Sequence, residues 1–384
     1  MPGNIIDNNS HFAFTHIDIF NGEEILIDQY LEIKDNCIVA IKAMQDVQQL
    51  TIAHQNAQGL LATAGFIDLQ LNGCGGVLLN SDTNQKTLDI MNQTNLKFGT
   101  TQYLPTLITS SAEQMVEAID LIASLTSPLA QGILGLHLEG PFINQQKKGA
   151  HQAHFIRQLD KETAYYLAQH NAFIKVITIA PECVTQEVIN ILAEAGIIVS
   201  MGHSNATYQQ LEEKQGIQMA THLYNAMSPL TSREPGVVGY VLNHKPHAGI
   251  IADGIHVDYA ALRLAHDHLG EKLFMVTDAV TPAGTNLTHF DMAGTEAFVT
   301  NGKCHFADGT IAGAAITMQQ GLKNLIEFVG ISREEALRMA SLYPAKAINI
   351  DHQYGKIALG YKANITLLNE KNDVIAVYQM GVKK

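Results

Sequence analysis

Four short motifs carry an acid or an imidazole at the point where an apolar run gives way to a turn. They are LHLEGP with Glu139, SMGHSNAT with His203, ATHLYNAMSP with His222 and MVTDAVTPAG with Asp278. One carboxylate and two imidazoles make a divalent-metal ligand set that leaves a coordination position open for water. Asp278 is then placed to take a proton from that water. Taken singly, each has a plainer use: a histidine bonded to a neighbouring loop, or an aspartate closing an Asx turn. Glu139 fits such a use least, because unpaired carboxylates are rarely buried in apolar runs. Four of these residues at four run ends favour the chemical reading.

Further side chains fit an anionic substrate. SPLTSREPG offers Arg233, whose planar fork suits phosphate, and ADGIHVD offers His256 as a second donor. The turn after His222, with Asn225 and Ala226, has backbone N–H groups for the same anion. A loop arginine more commonly pairs with a nearby carboxylate, here Glu234, and that alternative stays open. KKGAH places His151 downstream of Glu139, where it would polarise a carbonyl oxygen opposite the metal. His266 and His268 lie in ALRLAHDHLG, whose period is helical, so they point to different faces and read as exterior. His289 and His305 carry no second signal and receive no role.

The elements that must position these groups alternate. Strand-like runs occur at GFIDLQLNG, TTQYLPTLI, GILGLHLEG, IKVITIAP, IIVSMGHS, MATHLYN, AGIIADGIHV and FMVTDAVTPAG, with helical or polar segments such as AEQMVEAIDLIASL and TQEVINILAEAG between most of them. Eight such units fit a (β/α)8 barrel, whose usual size is about 250 residues and whose active site lies at the C-terminal strand ends. A doubly wound sheet is the alternative, but no GxGxxG or GxxxxGK[ST] follows an early strand. The barrel is expected over residues 62–345. The first sixty residues read as short β segments with a hairpin at Asn21-Gly22, and the last thirty as two β runs around NEKND. Both ends, 1–61 and 346–384, are therefore expected to build one small domain.

Bulk composition narrows the partners. The 384 residues are 46% apolar and 16% charged, with a net charge of −13 that is not gathered into blocks. That argues against nucleic acid or an anionic membrane, and it means that an anionic substrate needs a local cationic pocket. No run has the length and apolarity of a membrane span, and MPGNIIDNNSHF lacks the pattern of a signal peptide. Four cysteines without CxxC spacing indicate neither a disulfide framework nor a thiolate metal site, so a cytoplasmic location is expected.

The stretch AGFIDLQLNGCGG puts Asp68, Gln70 and Asn72 on one face of a strand. GFIDLQLNGCGG, HLEGPFINQQKKGAH, MGHSNA, THLYNAMSPLTSREPG, ADGIHVD and VTDAVTPAG, in this order, resemble the N-acetylglucosamine-6-phosphate deacetylases of the amidohydrolase superfamily. The resemblance spans nearly the whole chain, including GKIALGYKANITLLN, where Asn364 replaces a frequent Asp. It implies an α/β fold: a (β/α)8 barrel with a small β-sandwich from both chain ends, commonly homodimeric. It also implies that Glu139, His203 and His222 hold the metal, that Asp278 is general base and then general acid, and that His151 stabilises the carbonyl oxygen. Arg233, His256, Asn225 and Ala226 would bind a 6-phosphate.

Many relatives in the superfamily carry His-x-His on the first strand and hold a second metal there. Gln70-x-Asn72 is a poor substitute, since an amide oxygen is a weak donor beside imidazole. One divalent ion per subunit is expected, zinc first, with iron, cobalt or manganese as alternatives. The rival readings are a deacetylase of N-acetylgalactosamine-6-phosphate, a non-catalytic sugar-phosphate-binding regulator, and a two-metal cyclic-amide hydrolase. The missing His pair disfavours the last. The retained ligands and Asp278 disfavour the regulator.

Overall fold

The computed structural model describes residues 11–384 and resolves two compact units. One comprises the described residues through Asp68 together with Asn95–Gln102 and Met318–Lys384; the other is Leu69–Thr94 with Tyr103–Thr317. The first ten residues of the small domain expected over 1–61 and 346–384 lie outside the described residues.

The central sheet has eight strands in chain order: Phe66–Leu71, Thr100–Ile108, Leu136–Glu139, Ile174–Ile179, Ile198–Met201, Ile217–Ala220, His247–Ile251 and Leu273–Val276. Successive pairs from the second strand on are parallel. A parallel bridge between Leu71 and Ala279, with Asp278 N–H on Gln70 O at 2.9 Å, joins the eighth strand end back to the first. This is the expected α/β barrel architecture, and each run anticipated from sequence supplies one strand. Helices Ala112–Ser124 and Gln186–Glu194 begin where Ser111 and Thr185 accept an N–H of the first turn. Their apolar faces join one buried cluster with Leu136, Leu138, Ile177 and Val199. The helix Tyr259–Leu269 keeps His268 exposed and His266 partly so, in line with an exterior position.

The chain ends share a mixed sheet in which Leu61–Ala64 runs antiparallel to Ile365–Leu368 and parallel to Asp18–Ile19. Phe12, Phe14 and Tyr378 pack ring against ring at its core, with centroids 5.0–5.5 Å apart. Asn21 does turn the chain, its Oδ1 accepting the N–H groups of Glu23 and Glu24. Tighter two-residue hairpins in the same sheet fall at Asp35-Asn36, with φ 48° and 67°, and at Met380-Gly381, with φ 51° and 73°, the positive values that such a turn requires. Asn364 has a structural use in this sheet: its Oδ1 accepts Met380 N–H at 2.7 Å.

One element was not anticipated. After the eighth barrel strand, His289–Met292, Thr295–Thr300, Lys303–His305 and Ile311–Ala314 form an antiparallel four-stranded sheet. Its signal was present in the Asn301-Gly302 turn, where both residues again have positive φ. Its last strand returns to the barrel, with Ala314 N–H on Asp278 O and Val280 N–H on Ala314 O, both at 3.0 Å.

Candidate active site

Three of the four strand-end residues have an uncommon backbone. His203, His222 and Asp278 sit at φ 48°, 32° and 49°. A non-glycine residue pays about 1 kcal/mol or more for such a conformation, so the surroundings must enforce it. Here they do. Thr221 N–H and Leu223 N–H, on either side of His222, bond Met201 O and Gly249 O on the flanking strands at 2.9 and 2.8 Å. Asp278 is held through Gln70 O on one side and Ala314 N–H on the other. Beyond His203, the Glu182 carboxylate accepts from Ser204 Oγ, Asn205 N–H and Asn144 Nδ2 at 2.7–2.9 Å. The gain is that the chain turns out of the barrel while the side chain stays inside it.

Glu139, His203 and His222 are 2–4% exposed and converge. Glu139 Oε1 lies 3.1 Å from His203 Nε2 and 2.9 Å from His222 Nε2, and the two nitrogens are 3.1 Å apart. Ligands held 2.0–2.2 Å from one ion in a tetrahedral set stand about 3.4 Å apart, so the triangle has nearly the size that a small divalent cation demands. His203 Nδ1–H donates to Lys147 O at 2.8 Å, so the proton that Nε2 shares with Glu139 Oε1 is the one a metal ion would displace. Burial pushes Glu139 up, but hydrogen bonds from both imidazoles hold it well below the usual carboxylate range. Burial draws His222 down, yet the Glu139 bond and charge outweigh it and raise the ring overall. Two nitrogens and a carboxylate oxygen aimed at one point fit a metal ion. His151 brings a further ring nitrogen within 4.8 Å of the Glu139 and His203 donors.

His151 bonds Thr109 Oγ1 through Nδ1 at 2.7 Å. Burial, with the His203 charge, holds it well below its ordinary value, so it is neutral near pH 7. With the Thr109 hydroxyl as donor, the ring proton sits on Nε2, ready to be given to an oxyanion. Asp278 receives Asn72 Nδ2 at 2.7 Å and Gln70 Nε2 at 3.1 Å, both on Oδ1. Burial and then the Glu139 charge push its carboxyl up to about 6, where a group both accepts and returns a proton efficiently near neutral pH.

These groups line a cavity of about 390 Å³, a size suited to one small ligand. Asn225, Ala226 and His256 line the same cavity. His256 is oriented through Nδ1 by Asp253 Oδ2 at 2.6 Å. Of the two amides singled out after His222, Asn225 N–H closes on His222 O at 3.0 Å, whereas that of Ala226 makes no backbone hydrogen bond among the described residues. Arg233 is exposed and does not line this cavity. Sequence reasoning missed Gln146 and Lys147, which line the cavity from the loop before His151, and Met292, Thr310 and Ile311 from the unanticipated sheet. Lys147 offers its carbonyl oxygen to His203, and the Lys148 charge lies close enough to His151 to lower it; the KK pair beside GAH was the available sign of that loop.

Comparison with known proteins places the chain in a family. Residues 61–383 match the amidohydrolase family. The chain is 40% identical over 375 residues to an N-acetylglucosamine-6-phosphate deacetylase of Haemophilus influenzae, covering 96% of this chain and 98% of that one. It is 35% identical to an N-acetylgalactosamine-6-phosphate deacetylase of a Shewanella species, covering 91% and 90%. The crystal structure of N-acetylglucosamine-6-phosphate deacetylase from Pasteurella multocida superimposes with a TM-score of 0.94 at 43% identity, covering 97% of this chain and 99% of that one. A Mycobacterium smegmatis homologue, a variant in complex with N-acetyl-D-glucosamine-6-phosphate, matches with a TM-score of 0.89 at 27% identity over 98% and 99% of the two chains. With the fold, the buried Glu-His-His triangle and these relatives in agreement, the chain belongs to the N-acetylglucosamine-6-phosphate deacetylase family of the amidohydrolases.

Proposed function

We propose that this protein hydrolyses the acetamide of N-acetylglucosamine-6-phosphate to glucosamine-6-phosphate and acetate, in amino-sugar catabolism. The observation that carries the reading is the Glu139–His203–His222 triangle with Asp278 in the same cavity. A binder needs the anion pocket but neither of these, which speaks against a silent regulator.

A single divalent ion, zinc first and iron, cobalt or manganese otherwise, would be held by Glu139, His203 and His222 and would supply Lewis acidity toward the carbonyl and toward water. Asp278 takes one proton from the attacking water as its oxygen bonds the acyl carbon. His151 donates Nε2–H to the oxygen that becomes negative. As the C–N bond breaks, Asp278 returns its proton to the nitrogen, so the amine leaves with acetic acid, whose remaining proton passes to the amine to give acetate and the ammonium form. The 6-phosphate is assigned to the Ala226 N–H, the Asn225 side chain and His256. Arg233, exposed and outside its own cavity, is assigned to the phosphate of a second copy in a homodimer. The division into 1–61 with 346–384 and 62–345, and a cytoplasmic location, belong to the same proposal; no helix among the described residues is long and apolar enough to cross a membrane.

An acetate-release assay with elemental analysis tests it. The glucosamine phosphate is expected to exceed the galactosamine epimer, and removal of the 6-phosphate is expected to cost about 10²-fold in kcat/KM, because that binding energy positions the amide. The metal content is expected to be about one equivalent. Faster turnover of the epimer would move the assignment to the function of the Shewanella relative. Absence of acetate release would leave only binding.

A further inference from the structure

Gln70 and Asn72 are 2% and 1% exposed. Amides buried this fully need partners for their N–H groups, and both meet carboxylates. Gln70 Nε2 is 3.0 Å from Glu139 Oε1 and 3.1 Å from Asp278 Oδ1, so its two hydrogens bridge the two acids. Asn72 Nδ2 donates to the same Asp278 oxygen at 2.7 Å. The backbone closes the ring, with Asp278 N–H on Gln70 O. Asp278 Oδ1 thus receives two amide donors, while Oδ2 receives none among the described residues.

The chemistry of this arrangement is specific. Two neighbouring carboxylates repel when both are ionised, and a neutral NH₂ between them satisfies both without adding charge. An imidazole has one hydrogen per nitrogen and cannot bridge two oxygens from a single atom. The donors also prevent the carboxylate from turning about its Cβ–Cγ bond, since rotation would leave a buried amide unpaired.

We infer that Gln70 and Asn72 are positioning residues of the hydrolysis: by gripping Asp278 through Oδ1 they reserve Oδ2 as the oxygen that takes the water's proton and returns it to the leaving nitrogen. The inference rests on the proton-carrying role proposed for Asp278. The amides act through Asp278 and not on the substrate, so their loss falls on kcat. Misplacement of a reacting group by about 1 Å costs on the order of 10²-fold.

The experiment is a double-mutant cycle on the metal-loaded enzyme, with metal content measured for every variant. Asn72→Leu removes the donor while keeping the branched shape and disturbs only the Asp278 bond; Asn72→Ser, too short to reach, and Gln70→Met run beside it in case the bulkier leucine variant does not fold. Expected is a drop in kcat of about 10–10²-fold, KM within about threefold, unchanged metal content for the position-72 variants, and almost no further loss in an Asp278→Asn background. The same fold-loss in both backgrounds, an effect confined to KM, or loss of metal in the position-72 variants would overturn the positioning role. An active Asp278→Asn would instead bring down the proton-carrier reading, so the two failures are distinguishable.

Discussion

Asp278→Asn is expected to lower kcat by about 10²–10⁴-fold while the protein folds and keeps its metal. The amide has the volume of the acid and can still accept from Asn72 and Gln70, so the local packing survives. What disappears is the group proposed both to take the proton and to return it. The wild-type pH profile carries the same signature. Burial and Glu139 push Asp278 up to about 6, and a bound cation, adding positive charge nearby, pulls it back down. The base works ionised, so kcat/KM falls as pH falls through that value, with the acid limb at or below about 6. In the variant that limb is expected to vanish from the residual activity. Turnover within a few fold of wild type would contradict the role, and stopped-time acetate assays decide it.

Glu139→Gln is expected to abolish activity by a different route, through loss of the metal. Glu139 is the sole anion among the three converging side chains, and its Oε1 is the atom both imidazoles face. Changes to groups that merely support a ligand cost about 10–10²-fold in metal affinity, so removing the charged ligand itself is expected to cost more than about 10²-fold. Dialysed variant should then contain little metal where the wild type holds about one equivalent. A second readout is thermal. A ligand at 100 times its Kd stabilises the native state by about 2.7 kcal/mol, so added divalent metal should raise the Tm of metal-stripped wild type by several degrees and leave the variant unmoved. The affinity should also weaken toward acid pH. Glu139 raises His222 in the metal-free site, and metal entry must displace that proton. A variant that keeps its full metal equivalent would place the ion elsewhere, with His151, within 4.8 Å of Glu139 and His203, the first candidate.

Gln70 and Asn72 show where a local pattern stops being informative. Their alternation on one strand face was legible, and so was the argument that amides do not replace ligand histidines. Their partners were not, because Glu139 and Asp278 lie 69 and 208 positions from Gln70 along the chain. A hydrogen bond of that separation leaves no periodic trace. Arg233 is the converse case: its type suits phosphate, but whether it reaches one depends on where its loop lies, and in this chain that loop is exposed.

By itself, the sequence determined the alternation of eight strands with crossovers and the residues at their ends. The pairing of the two chain termini was also readable from it. Those features are local: a strand's burial pattern, a turn and the polar residue between them are written within about ten positions, and the barrel rule then assigns the ends to one face. Only the tertiary structure decided the 3 Å triangle, the single-oxygen grip on Asp278, and the sheet over 289–314 that adds Met292 and Ile311 to the cavity. The reason is physical. The positive φ values at His203, His222 and Asp278 are unfavourable locally and exist because flanking strands and distant carbonyls enforce them. A conformation paid for by long-range contacts is invisible to any window of sequence, and the converging side chains take their geometry from it.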